Sequence, residues 1–436
     1  ETYTISSWAF AKTPDPVMYF VRSDGNAATM TFETDQEVLA WAQWDTDGEF
    51  EWTAAIRPSS TAIDVRPYFV VKRIINGNTV RFIEKLQDRR FTDVRDAFFV
   101  DSGLTYDVPL TISGSTAADP VVVTATSHGF SDGDEIDISN IQWTPAFDSL
   151  DNETNPDQLN GRRYFIADKT ANTFTLFSNE SGKPITAITR ATPGVVTAPA
   201  HGFANGDIIC LNGISGMTEA NNNVYKVANK TTNTFQLNTA AGASVNTSGF
   251  TAYTNGGNIF HATDGSAFAA YVSGGKARKA VSTISGLNHL EGKSVVMLVD
   301  GAVDASKTVS GGSITLTRKA SRVHVGLKYI SDVETLDVES PDSGTVQGQP
   351  KKIAKVVVRL EKSRGLLIGP TSDLLIEWKQ RNASENIGEP TAMLTGDAEI
   401  VLKPAWNSNG RLFMRQKNPL PFTLLAVIPN IEVGSR

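Results

Sequence analysis

Apolar and polar positions alternate along this chain in short runs rich in β-branched and aromatic residues. Gly, Asn, Asp and Pro interrupt them every 8 to 12 residues. That spacing predicts an all-β protein of the sandwich, barrel or propeller kind, and long helical periodicity is nearly absent. The clearest hairpin is YFVVKRIINGNTVRFIEKL (Tyr68 to Leu86), in which Asn76-Gly77 supplies the positive φ of a type I′ turn between two Val-, Ile- and Phe-rich strands. A second hairpin is expected in VLAWAQWDTDGEFEW (Val38 to Trp52), turning at Asp45 to Gly48. Together the two hairpins predict a four-stranded sheet the size of a propeller blade.

The middle of the chain repeats itself. VVVTATSHGFSDGDEIDISNI (Val121 to Ile141) is matched by GVVTAPAHGFANGDIICLNGI (Gly194 to Ile214), and YFIADKTANTFTL (Tyr164 to Leu176) by YKVANKTTNTFQL (Tyr225 to Leu237). His128 lies 44 residues before Asn172, but His201 only 32 before Asn233, so the first copy holds about 12 extra residues. They fall in the polar segment Trp143 to Gln158, which reads as a surface loop. Two copies of one small module suit an elongated binding or spacer protein. After a Gly/Ser-rich stretch, Asp264 to Ala280, further strands follow: SVVMLVDG, GSITLT, RVHVGLKY and KKIAKVVVRLEKS. The expected organisation is a propeller-type sheet region at 1–108, two tandem small β-barrel modules at 109–186 and 187–258, and a C-terminal β-sandwich-like domain at 259–436.

A length of 436 residues suits about three domains. The single cysteine, Cys210, excludes an internal disulfide and Cys-ligated structural zinc. FTLLAVI (Phe422 to Ile428) is far short of a membrane helix, so no membrane span is expected. The N-terminal ETYTISSWAF has no signal-peptide pattern and does not begin with Met, the mark of a processed or truncated chain. Charge is uneven: residues 1–108 carry 11 basic against 17 acidic side chains, 109–258 carry 7 against 13, and 259–436 carry 22 against 17. An acidic majority argues against tight sequence-specific DNA binding.

Each candidate for chemistry has a plainer structural reading. GLNHLEGKS (Gly286 to Ser294) ends like a phosphate-binding loop, but five residues separate Gly286 from Gly292 where four are required, and a strand pattern follows. It is expected to be a turn between strands. His128 with Asp134 and His201 with Asp207, six residues apart in HGFSDGD and HGFANGD, allow a metal site in each module. The alternative is a turn built by Gly and Asp, with Phe130 and Phe203 entering the core and the histidine serving the backbone. Asp45 to Gly48 lacks the later ligands of a calcium loop, since position 54 is Ala54. No histidine adjoins a nucleophile motif, and Cys210 sits in a strand pattern as a small buried hydrophobe. No catalytic, metal or cofactor residue is therefore assigned. In KKIAKVVVRLEKSR, alternation places Val356, Val358 and Leu360 on one face and Lys355, Val357 and Arg359 on the other. Lys351, Lys352, Lys355, Arg359, Lys362 and Arg364 form either a solvated or edge strand guarded by lysines or a contact for a polyanion or acidic partner.

Six blocks, VLAWAQWDTDGEFEW, YFVVKRIINGNTVRFIEKL, ISGLNHLEGKSVVMLVDG, VSGGSITLTRKASRVHVGLKY, KKIAKVVVRLEKSRGLLIG and GRLFMRQKNPLPFTLLAVIPNIEVG, resemble in the same order the tail nozzle or tail tube proteins of short-tailed bacteriophages. The resemblance touches residues 38–108 and 259–436. The repeats between resemble the small β-barrel modules that phage tail proteins share with the first catalytic-cysteine half-domain of ubiquitin-activating enzymes. That likeness is of fold alone and gives Cys210 no catalytic role. The resemblance implies a non-enzymatic virion protein, a homohexameric ring at the end of the tail that retains and conducts the genome. It implies contact with a tail adaptor protein, with tail fibres and, transiently and without sequence preference, with passing double-stranded DNA. It also implies assembly in the host cytoplasm and a propeller-like body, of which residues 1–108 supply about one to two blades. The competing expectation is a tail-associated module that reads a host-surface glycan or another tail protein through the repeats, favoured by an exposed aromatic cluster at Trp143, Phe147 and Tyr164.

Overall fold

A computed structural model describes residues 2–434, apart from 60, 145–157, 180–181, 340–344, 384, 386–389 and 404–405. Among the described residues there is no α-helix, only three-residue 3-10 turns such as Asn288–Leu290, and the chain is all-β as expected. It divides into two compact units. The first joins residues 1–106, 282–318 and 322–436, and the second joins 107–281 with 319–321.

The first unit begins with a four-stranded meander, Ile5–Ala11, Val17–Arg22, Ala27–Glu33 and Val38–Trp44. A three-stranded sheet follows, Glu49–Ile56, Arg66–Ile75 and Asn78–Lys85. Alternation turns Val17, Tyr19 and Val21 of the first sheet toward Phe69 and Val71 of the second, and these share one buried cluster. The hairpin at Asn76-Gly77 forms as expected, with φ of 48° and 76°. The hairpin expected over Val38 to Trp52 does not form. Val38–Trp44 pairs instead with Ala27–Glu33, setting Trp41 opposite Met30 and Leu39 opposite Phe32, while Glu49–Ile56 pairs with Arg66–Ile75. Those apolar cross-strand pairs outweigh the turn signal, and Asp45 to Gly48 carries the chain from one sheet to the next. The expected single blade is thus split between two facing sheets.

A buried cation links this region to the strand Asp101–Asp107. Arg73 is 1% exposed. It grips Glu84 with two bonds of 2.8 and 2.7 Å, donates to Asp101 at 3.2 Å and to the Asp47 carbonyl at 2.7 Å. Asp101–Asp107 lies in a sheet with Ser294–Val299, Ala302–Thr308 and Arg322–Leu327. Farther along, Lys351–Ser363 is the central strand of a sheet, flanked by Leu394–Val401 and Trp406–Asn407 on one side and Thr423–Val433 on the other. Its Val356, Val358 and Leu360 share a core with Leu366 and with Ile368 and Met414 from a second sheet, a sandwich-like arrangement.

The second unit holds two seven-stranded antiparallel sheets with the same strand order, each an open path rather than a closed barrel. One is nested inside the other. The first module pairs Glu135–Trp143 with Tyr271–Lys279, and the second pairs Ile208–Ser215 with Asn255–His261. The expected cuts at 186 and 258 therefore give way to a first module that begins at Pro109–Thr111, is interrupted after Thr173–Ser178, and is completed by Tyr271–Lys279. The completing strand has a duplicated cause. Tyr271 donates its hydroxyl to the carbonyls of Ile112 and Gly274, and Tyr253 donates to those of Ile185 and Gly256. These are the tyrosines of Ala270-Tyr-Val-Ser-Gly-Gly275 and Ala252-Tyr-Thr-Asn-Gly-Gly257. At Gly275 and Gly257 φ is 104° and 90°, and an added Cβ would lie 2.8 Å from Ile141 and 2.5 Å from Ile214. Only glycine fits there. Most of the extra loop of the first module, 145–157, lies outside the described residues.

Candidate functional site

The basic strand is the one sequence-predicted site with several charges in register. Its central position excludes the edge-strand reading. The outer row alternates as expected, and acidic residues of the neighbouring strand answer its cations. Arg359 grips Asp397 with bonds of 2.7 and 2.9 Å, which pulls the Asp397 carboxyl below its ordinary range and raises the arginine. Lys355 meets Glu399 at 2.5 Å. Lys352 pairs with Glu432 at 2.9 Å and lies over the Trp406 ring. Lys351 is buried and donates to the Ser408 carbonyl at 2.8 Å. Lys362 donates to the Phe91 carbonyl at 3.3 Å, and Arg364 to that of Gly301 at 2.6 Å, with burial lowering the Arg364 guanidinium. Five of the six cations lie on one strand and Arg364 follows its last residue, yet each is engaged within the chain. What faces outward from Lys355 and Arg359 is a salt-bridged and charge-balanced stripe, whose attraction for phosphate is short-ranged and weakened by salt.

The duplicated His-Gly-Phe turns are structural in both copies. Nδ1 of His128 accepts the Phe130 backbone N–H at 3.0 Å, and Nδ1 of His201 accepts that of Phe203 at the same distance. Both imidazoles therefore carry their proton on Nε2, which is buried without a hydrogen-bond partner. Each ring packs edge to face, His128 on Phe174 at 5.1 Å and His201 on Phe235 at 5.2 Å. Asp134 and Asp207 accept the backbone N–H of Ser131 and Ala204, closing the turn. Their outer partners differ. Asp134 meets Lys279 at 2.7 Å, and Asp207 meets His261 at 3.3 Å, from matching places on the two completing strands. A group of three metal-binding side chains is absent among the described residues.

The remaining candidates also resolve into structure. Asn288–Leu290 is a single turn between Val281–Ser285 and Ser294–Val299, with His289 bonded to the Ser102 carbonyl at 2.9 Å. No helix N-terminus follows to hold a phosphate. The Asp47 carboxylate is taken by Lys293 at 2.8 Å. Cys210 is 1% exposed between the modules, and burial pushes its thiol up to about 12. Trp143 and Tyr164 lie in the core of the first module rather than on an aromatic platform, and Phe147 lies outside the described residues. Sequence reasoning missed the apolar exposure of Val38–Trp44, because it placed that strand inside a hairpin.

Residues 191–263 match the ubiquitin-activating enzyme E1 FCCH domain. The match begins after the inner module's first two strands, Lys183–Pro184 and Ala187–Ile188, and runs through its completing strand Asn255–His261. No curated protein matches the chain.

Proposed function

We propose that the chain is a structural component of a short-tailed bacteriophage tail, part of the nozzle or tube that retains and then conducts the genome. The observation that carries this reading is the agreement of two divisions of the chain. The blocks that resemble tail nozzle proteins lie in residues 38–108 and 259–436, and the compact unit of 1–106, 282–318 and 322–436 gathers nearly all of them. The stretch between folds separately as two nested modules, one of which resembles the FCCH domain. A tail protein with modules inserted into one of its connections accounts for both facts.

On this reading the protein acts as a homohexamer in the virion, bound to a tail adaptor and to tail fibres, and performs no catalytic step. The balanced stripe at Lys355, Arg359, Asp397 and Glu399 suits transient contact with double-stranded DNA, because a lining of unpaired cations would hold phosphates instead of passing them. Light scattering with negative-stain imaging of the purified chain tests the proposal. Rings with a central hole and six times the 47.0 kDa chain mass are expected. A chain that stays monomeric at every concentration rejects the self-assembling ring.

A further inference from the structure

The strand Val38–Trp44 is exposed from Val38 through Gln43. It pairs on one side with Ala27–Glu33 and ends the sheet, so alternate backbone N–H and C=O groups along its other side face solvent. Its outward side chains Leu39 and Trp41 are each 61% exposed, and Trp41 stacks on Phe20 at 5.5 Å. Val38, Ala40 and Ala42 on the opposite face are exposed as well, so the facing sheet covers only the last residue of this strand, Trp44, which packs near Phe69. An edge open on both faces normally carries a lysine, a proline or a bulge to prevent pairing. VLAWAQW has no charge and no proline.

Both ends of the strand are acidic. Asp35 and Glu37 precede it and Asp45 follows, all exposed and without an ion pair among the described residues. Two copies of the strand in antiparallel register would set Asp35 and Glu37 of each against Asp45 of the other, with like charges meeting at both ends. That disfavours a second copy of the chain as the occupant. We propose that Val38–Trp44 is a docking edge for an extended segment of a partner polypeptide, with an uncharged core of alternating apolar residues and lysine or arginine at both ends. Backbone pairing supplies affinity, the apolar row supplies register, and the basic ends supply selectivity. Since both flanks are acidic, the charge pattern serves either strand direction. The surface follows from the fold alone and does not depend on the proposed function.

Two synthetic peptides test it on the full chain. Both contain the same core of alternating valine and threonine, one flanked by lysines and the other by glutamates. Labelled-peptide anisotropy is expected to show the lysine peptide binding about tenfold or more tightly than the glutamate peptide, from up to three exposed charge pairs. Hydrogen exchange is expected to slow at alternate amides of 38–44. The triple variant Asp35→Lys, Glu37→Lys, Asp45→Lys is expected to reverse the preference. Equal affinity for the two peptides, binding of neither, or protection confined to other strands overturns the proposal. So does a dimer of the chain alone in which amides 38–44 are already protected, because the occupant is then a second copy.

Discussion

Phe165 and Phe260 come from different modules and pack against each other with ring centroids 4.2 Å apart. Ala167, Phe177, Cys210 and Ala262 complete this buried cluster, and Phe177 bridges to Ala262 through the backbone. A small apolar contact therefore fastens the inner module to the outer one. Phe260→Ala is expected to cost about 3 kcal/mol in urea denaturation, from lost burial and the cavity left behind. A double-mutant cycle with Phe165→Ala should show a coupling of about 1 kcal/mol. Additive effects would mean that the two rings pack independently.

Cys210 shares that contact, and with its thiol pushed up to about 12 it is protonated and shielded at neutral pH. A colorimetric thiol reagent at pH 8 should label it only after denaturant unfolds the second unit. Fast labelling of the native chain would contradict the burial.

Removing Arg73 leaves Glu84 and Asp101 without their cation in a site where the arginine side chain is fully covered. Arg73→Met is expected to cost about 3–5 kcal/mol in thermal denaturation, and adding Glu84→Gln with Asp101→Asn should recover most of it. A loss that the added changes leave untouched would place the cost in packing rather than in charge.

Acid acts on two carboxyls with opposite sign. The Arg90 guanidinium, helped by Arg66, holds the Asp88 carboxyl well below its ordinary range. Its contribution to stability is complete above about pH 4 and fades as pH falls toward the lower folded value. Burial raises Asp101 despite Arg73, so there the folded protein takes up its proton before the unfolded chain does, and acidification favours the fold. Between pH 5 and pH 3, Asp88→Asn should lose less stability than the parent, and Asp101→Asn more. Denaturation midpoints across that range check both.

If the stripe on the basic strand is balanced by its neighbours, Asp397→Asn with Glu399→Gln should unmask Arg359 and Lys355. Retention on double-stranded DNA is expected to rise, with a log–log salt slope steeper by up to about 2. An unchanged slope would show that these cations do not meet phosphate.

Much of this was legible in the chain because its signals are local. Asn76-Gly77 names its own turn, the alternation of Val356, Val358 and Leu360 names its own face, and the His-Gly-Phe turns repeat in sequence. What the sequence concealed depends on distant partners. Nothing in VLAWAQW states whether Ala27–Glu33 or Glu49–Ile56 lies beside it, since alternation sets a face and not a neighbour. The neutral character of the basic strand rests on Asp397, 38 residues from Arg359, and on Glu432, 80 residues from Lys352. The nesting did leave a trace. The Ala-Tyr-x-x-Gly-Gly pair at 252–257 and 270–275 repeats like the earlier blocks, but its second copy sits in the Gly/Ser-rich stretch that leads into the later strands.

Nesting also decides how the second unit responds to tension. Its incoming strand Pro109–Thr111 pairs with the outgoing Tyr271–Lys279, Thr111 opposite Lys276, and the inner module repeats the arrangement with Lys183 opposite Ile259. A pull applied where the chain enters and leaves this unit loads the outer pair first and opens it bond by bond like a zip. The inner module bears no load along the backbone until the outer clamp has parted, so the two modules should yield in a fixed order, outer before inner.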